Sequence, residues 1–294
     1  MSDLKLEFLH IPKTGGTSLR ETLKQVNRDI IQYAHLKKLH GYIPDNYASL
    51  PNIWETRTKE KHYRSEYWEN PPISGFNTGH RLVYPTNRRF FTFLREPIDL
   101  SLSYINMAQH NNTNPYYDLA NNNLRQMVET CCELNNSMTW RLAGLDQKTL
   151  NKYMKIATQE MEEANQIIET LRSGTREDPR SINVALLEKV SRFKNSRKHT
   201  DIFDHHNIIH NREAYIDNVT ESTFERAIGN LKYFYFVGFI ENYQSDVQKL
   251  VDKIYKSYNL EKYSRKVKIL HLNKSKHSPI SLTQEIKEKL IANN

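Results

Sequence analysis

One stretch near the start of the chain constrains its fold more than any other: Leu6-Glu7-Phe8-Leu9-His10-Ile11-Pro12-Lys13-Thr14-Gly15-Gly16-Thr17-Ser18-Leu19. An apolar run leads into a short segment holding a Lys, paired glycines and hydroxyl residues, and Leu19-Arg20-Glu21-Thr22-Leu23-Lys24 then continues with helical spacing. That order predicts strand, tight loop, helix. Such a loop aims backbone N–H groups at one point, where the following helix N-terminus adds partial positive charge. Gly15 and Gly16 admit backbone conformations and close approaches that other residues resist. Lys13 supplies a full positive charge, and Thr14, Thr17 and Ser18 supply hydroxyl donors. The expected product is a phosphate cradle; the bland alternative is a Gly-rich turn with a solvated lysine.

The order of residues separates this loop from a Walker A motif, which places Lys after the second Gly and Ser or Thr after that. Here Lys13 precedes both glycines, which disfavours a nucleoside triphosphatase.

A second motif is Arg88-Arg89-Phe90-Phe91-Thr92-Phe93-Leu94-Arg95-Glu96-Pro97, followed by Ile98-Asp99-Leu100-Ser101-Leu102-Ser103-Tyr104. The continuous apolar run from Phe90 to Leu94 suits a buried parallel strand. Pro97 suits the first turn of a helix. Arg95 then stands at the carboxyl end of that strand, where open α/β sheets bind ligands. An arginine fork there and a hydroxyl two turns into the helix, Ser103, can grip one phosphate together.

Between the two motifs lies Ile73-Ser74-Gly75-Phe76-Asn77-Thr78-Gly79-His80, a short predicted strand and turn ending in one of the chain's 12 histidines. A His near its ordinary pKa suits proton abstraction from a hydroxyl. His80 stands out by position alone, and a purely structural His remains the alternative.

The run from His10 to Thr17 resembles the 5′-phosphosulfate loop of sulfotransferases, and most nearly that of heparan sulfate 6-O- and 2-O-sulfotransferases and their bacterial relatives. Arg95 to Ser103 is similar to the Arg-Asp-Pro…Ser element that binds a 3′-phosphate in that family, with Glu96 in place of the usual Asp. The resemblance implies a P-loop-like three-layer α/β fold with a central parallel sheet flanked by helices. It implies 3′-phosphoadenosine-5′-phosphosulfate as donor, with 3′-phosphoadenosine-5′-phosphate as product and no metal. His80 falls where the family's catalytic His lies. Lys274 and Lys276, in His271-Leu272-Asn273-Lys274-Ser275-Lys276, match by position a basic loop that closes over the nucleotide. Asn135 to Gly144 looks like a family stretch of the form Asn…Thr-Arg-x-Leu-Ala, with Trp140 inserted before Arg141; it either lines the acceptor cleft or supplies core.

The rest of the chain bounds this reading. At 294 residues, without repeat or low-complexity linker, the chain is expected to form a single domain. Residues 35–72, which alternate basic and aromatic side chains, are either an acceptor-binding insertion or a solvated loop, and residues 150–200 form an expected helical cap. Asp29 to Ala34 reads as a second strand, 116–133 as helix, Glu221 to Leu231 as helix, Tyr233 to Ile240 as strand, and both Glu241 to Tyr258 and Leu282 to Ala292 as helices. A net charge of +8 and a pI of about 9.2 favour anionic partners. The expected partner is a hydroxyl-bearing acceptor, such as an anionic glycan, a lipid, a carrier-bound acyl chain or a small natural product, rather than a nucleic acid. A non-catalytic polyanion-binding protein and a nucleotide-dependent kinase are the rival readings.

No apolar run is long enough to span a bilayer, and Met-Ser-Asp-Leu-Lys lacks the apolar core of a signal peptide. A cytoplasmic location is therefore expected, and since the animal Golgi sulfotransferases of the resembling family carry a membrane anchor, the resemblance implies a bacterial enzyme. The adjacent Cys131 and Cys132 allow neither a disulfide scaffold nor a Cys-x-x-Cys metal pair and read as small helix residues. His206 and His210, within the cluster His199 to His210, have helix-face spacing, but no Glu follows His206 as a His-Glu-x-x-His zinc site requires.

Overall fold

The computed structural model describes residues 4–40, 71–75, 86–144, 219–261 and 282–294, with Val83, Ile269 and single helical positions at 148, 151, 155 and 162. Strand β1 (Leu6–Phe8) leads through the loop into helix α1 (Gly16–His40). Strand β2 (Ile73–Ser74) precedes β3 (Arg89–Leu94), and α2 (Pro97–His110) follows directly. Short helices α3 (Tyr117–Asn122), α4 (Leu124–Thr130) and α5 (Ser137–Ala143) come next, the last two joined by a 3₁₀ turn at Cys132–Leu134. Helix α6 (Glu221–Leu231) and strand β4 (Phe236–Phe239) lead through a 3₁₀ turn at Ile240–Asn242 into α7 (Tyr243–Ser257), and α8 (Gln284–Ala292) closes the described chain.

The strands form one all-parallel sheet in the order β2-β1-β3-β4, flanked by helices, so the class is α/β. Its register sets Leu6 against Ile73 and Arg89, and Phe91 against Phe8 and Phe236. Side chains alternate across β3. Phe91 and Phe93 join Leu6 and Phe8 in a core with α1 (Leu19, Leu23, Val26, Ile30) and α7 (Val247, Leu250, Val251, Ile254). Phe90, with Leu9, Ile11 and Leu94, packs instead against α5 (Leu142, Ala143) and α6 (Ala227, Leu231). Burial on both faces explains why Phe90, Phe91, Phe93 and Leu94 of β3 occupy both faces instead of alternating with exposed polar residues; the one polar residue among them, Thr92, is buried and hydrogen-bonded. A separate core joins α2, α3, α4 and α8 through Ile105, Ala120, Met127 and Leu290.

The expected strand at 29–34 is helix: those residues continue α1. Leu19, Leu23, Val26, Ile30 and Tyr33 face one core at helical spacing, and that stripe overrides the β preference of the Ile30-Ile31 pair. Residues 35–40 of the expected insertion also belong to α1. The helix expected over 116–133 is broken where the Asn123 side chain accepts from the Gln126 N–H and starts a new helix. Cys131 is buried and lies just after α4. The remainder of the expected insertion and nearly all of the expected cap lie outside the described residues, as does the His199–His210 cluster. Among the described residues, no helix is long and apolar enough to cross a membrane.

Asn27 of α1 meets the outer side of β2. Its carboxamide donates to the Ile73 carbonyl at 3.1 Å and accepts from the Ile73 N–H at 3.2 Å. On the inner side, Glu7 is buried, bonds the Ser74 hydroxyl and lies 3.8 Å from Arg88 Nε.

Candidate functional site

The strand order creates a crevice. Helix α1 leaves β1 across one face, whereas α5 and α6, between β3 and β4, cover the other. Neighbouring parallel strands whose connections depart in opposite directions leave a gap beyond their carboxyl ends, and ligands bind there. The β1 loop and Arg95 both lie at this point.

The loop is held from within. The Thr14 hydroxyl donates to the Ile11 carbonyl at 2.8 Å, and the Thr92 hydroxyl of β3 donates to the Leu9 carbonyl at 2.8 Å. Lys13 (φ 62°) and Gly15 (φ 75°) both take left-handed conformations. For Gly15 this is inexpensive; for Lys13 it is uncommon, and the surrounding bonds must hold it. A side chain on Gly15 would also meet the Ile240 Cδ1 atom at 2.8 Å and the Tyr243 ring at 3.2 Å. Gly16 then opens α1, whose first N–H groups have no intrahelical acceptor.

Arg95 reaches across the crevice, its Nη1 donating to the Lys13 carbonyl at 3.3 Å. Burial first, and then the nearby Arg95 charge, lower the Lys13 pKa. Two positive groups held close at the carboxyl ends of β1 and β3 can take an anion, which relieves their repulsion.

Glu96 has a local task. Its side chain accepts from the Asp99 N–H at 2.7 Å and caps α2, while its own N–H donates to Glu241 Oε1 at 2.9 Å. The Glu that stands in place of the expected Asp thus serves as the side-chain cap of α2. Ser103 lies two turns into α2 and is half-buried.

Of the loop hydroxyls, Thr14 is spent on Ile11, Ser18 sits buried beside the Tyr243 phenol, and Thr17 is half-buried. The site therefore rests on backbone N–H groups, Lys13, Arg95 and Thr17 more than the composition of the loop suggests.

His10 belongs to the same site. Its ring stacks on Phe8 with centroids 5.4 Å apart, and it covers the Cα of Gly16 so closely that a methyl group there would overlap it. Burial, then the Arg141 and Arg20 charges, push the His10 pKa down to about 4, so the ring is neutral near pH 7. Arg141, a sequence candidate for the acceptor cleft, is instead 2% exposed; it pairs with Glu133 at 2.7 Å and stacks over Trp140 at 4.1 Å. The Arg141 carbonyl accepts from the Val83 N–H at 2.9 Å, so α5 packs behind the loop wall as core.

The structure thus brings Lys13, Thr14, Gly15, Gly16, Thr17 and Ser18 together with Arg95 at the carboxyl ends of the two inner strands, β1 and β3. His80, Lys274 and Lys276 lie outside the described residues. Sequence reasoning missed the contact of His10 with Gly16 and the part played by Ile240, Glu241 and Tyr243. Nothing in local spacing signals either, because both arise from packing between distant segments. Among the described residues, no group of three or more His, Cys, Asp or Glu side chains is gathered as a metal site. Comparison of the chain with protein-family models, curated proteins and solved structures returns no match.

Proposed function

We propose that this chain is a sulfotransferase with a P-loop-like fold, which moves the sulfuryl group of 3′-phosphoadenosine-5′-phosphosulfate onto an acceptor hydroxyl. The observation that carries the reading is the meeting of the left-handed Lys13–Gly15 loop with Arg95 at the carboxyl ends of β1 and β3. That arrangement supports two phosphate subsites on one ligand. The loop N–H groups, Lys13 and Thr17 take the 5′-phosphosulfate; Arg95 and Ser103 take the 3′-phosphate, which distinguishes this donor from ATP or ADP. Lys274 and Lys276 are assigned to the nucleotide's outer side on sequence position alone.

In the proposed reaction the acceptor oxygen attacks sulfur in line as the bond from sulfur to the bridging phosphate oxygen breaks. The acceptor proton passes to His80, and Lys13 with the loop N–H groups stabilises the charge left on the phosphate. The products are a sulfate ester and 3′-phosphoadenosine-5′-phosphate. His10 is the second candidate for the base, favoured by its neutral ring within the loop.

Calorimetric titration with 3′-phosphoadenosine-5′-phosphate in the absence of metal tests the reading, followed by a labelled-donor screen against glycans, lipids, acylated carriers and small alcohols. Arg95→Ala is expected to weaken this nucleotide by about 1.5–3 kcal/mol, the range for a charged hydrogen bond, and to leave 5′-AMP nearly unaffected. Equal losses for both nucleotides contradict the Arg95 assignment. Magnesium-dependent ATP turnover would favour a kinase, and salt-sensitive heparin binding without donor turnover a polyanion-binding protein.

A further inference from the structure

The loop after β1 and the link after β3 both meet the junction between β4 and α7. The register that pairs Leu94 with Phe239 brings the residues after them, Arg95-Glu96 and Ile240-Glu241, alongside each other. Glu241, in the 3₁₀ turn Ile240–Asn242, accepts from the Glu96 N–H through Oε1 at 2.9 Å. Its neighbour Ile240 stands against the loop: an added Cβ on Gly15 would meet Ile240 Cδ1 at 2.8 Å and the Tyr243 ring at 3.2 Å. The junction is itself anchored. Asp246 accepts from the Phe239 N–H at 2.9 Å and pairs with Lys249 at 2.8 Å, and Tyr243 packs on Phe93 with centroids 5.8 Å apart. These contacts close a circuit: the Lys13 carbonyl to Arg95, Arg95 along the chain to Glu96, Glu96 to Glu241, and Ile240 back to Gly15.

We infer that Glu241 is a positioning residue of the anion site: by holding the Glu96 N–H it fixes the Arg95 backbone, and so sets the Arg95 guanidinium against the Lys13 loop to receive the 3′-phosphate. The link between β3 and α2 is only Arg95 and Glu96. Glu96 is extended ahead of Pro97 (φ −53°, ψ 129°), as a following proline favours, and its side chain is committed to the Asp99 N–H. Its own N–H is left to another element, and Glu241 takes it. A long arginine side chain loses less freedom on binding when its backbone and part of its fork are already held, here by Glu241 behind and the Lys13 carbonyl ahead. A carboxylate this near the site repels an anion, so its charge is no help to binding and its hydrogen bond is what it contributes. Glu241 in this role touches no ligand atom and acts through Arg95. The inference rests on the donor reading above and deepens it, naming the residue outside both phosphate subsites that holds one of them in place.

The test is calorimetry with 3′-phosphoadenosine-5′-phosphate and 5′-AMP on two Glu241 variants. Glu241→Gln removes the charge and keeps an acceptor oxygen; Glu241→Ala removes both, so the difference between them isolates the hydrogen bond. Glu241→Ala is expected to bind the bisphosphate about fivefold more weakly than Glu241→Gln, a typical worth for one hydrogen bond, while the two bind 5′-AMP equally. In an Arg95→Ala background that difference should disappear, because Glu241 acts through Arg95. Equal bisphosphate affinities in the two variants, equal losses for both nucleotides, or a difference that persists without the Arg95 side chain overturn the assignment. Should Glu241→Ala fail to fold, Glu241→Ser, equally short of reach and uncharged, takes its place under the same outcomes. A wild-type protein that binds no 3′-phosphoadenosine-5′-phosphate refutes the donor reading itself; a wild type that binds it in preference to 5′-AMP, with the Gln and Ala variants alike, refutes only the role of Glu241.

Discussion

Gly16→Ala offers a direct test of how the loop between β1 and α1 is built. In a helix, alanine normally improves on glycine by roughly 0.5–1 kcal/mol, and Gly16 has no left-handed φ to forbid it. Here the added methyl group would sit within 2.9 Å of three atoms of the His10 ring. The ring cannot retreat freely, because it is stacked on Phe8, itself fully buried in the sheet core. Relief requires an off-rotamer His10 or a shift of the first turn of α1, and overpacking of this sort costs about 1–3 kcal/mol. Gly16→Ala should therefore lose about 1–2 kcal/mol in urea unfolding despite its better helix propensity. On the proposed function it should also weaken nucleotide binding, since the displaced turn opens α1, whose first N–H groups have no intrahelical acceptor. The informative measurement is the same substitution in a His10→Ala background. With the ring gone the methyl group has room, and the cost of Gly16→Ala should vanish or reverse. If Gly16→Ala costs the same with and without the His10 ring, or costs nothing in the wild type, the packing argument fails.

Two further outcomes are expected. Folding holds the His10 pKa at about 4, below its ordinary value of 6.5, so the unfolded chain binds more protons between those limits. Stability should then rise with pH across that window and be lost as pH falls from about 6.5 toward 4; His10→Gln should flatten this limb, and an unchanged pH–stability profile in that variant would refute the assignment. Arg141→Met should cost about 3–5 kcal/mol in chemical denaturation by leaving Glu133 as an uncompensated buried charge, and should raise the His10 pKa by removing one of the charges that lower it; a loss under 1 kcal/mol would show that Glu133 finds another partner.

Much of this architecture is legible in local sequence. The run Phe90 to Leu94 announces a strand covered on both faces, Pro97 marks the start of α2, and Thr220 before Glu221 begins α6 at the expected residue. Where the reading erred, tertiary pattern competed with local preference. Ile30 and Ile31 look like strand, yet the core stripe running from Leu19 to Tyr33 holds them in α1. Asn123 is an unremarkable polar residue until its side chain caps a new helix. The site divides similarly. The meeting of Lys13, Gly15 and Arg95 is legible, because strand, Gly-containing loop and helix follow in that order and Arg95 ends the neighbouring strand. The use of Gly16 as space for His10, and of Tyr243 as a wall beside Gly15, was not legible, because each depends on packing between residues that sequence spacing does not connect.

The Asn27 carboxamide has a consequence for how the sheet ends. In a parallel ladder alternate residues turn their peptide groups outward, and β2 is the outermost described strand on its side, with Leu6 bonded to Pro72 rather than Ile73. The outward N–H and C=O of Ile73 would therefore offer a template to any extended segment that approached. Asn27 occupies both groups with a single side chain, as an incoming peptide would. It terminates the ladder at that peptide and denies it to the edge-to-edge pairing through which exposed strands aggregate.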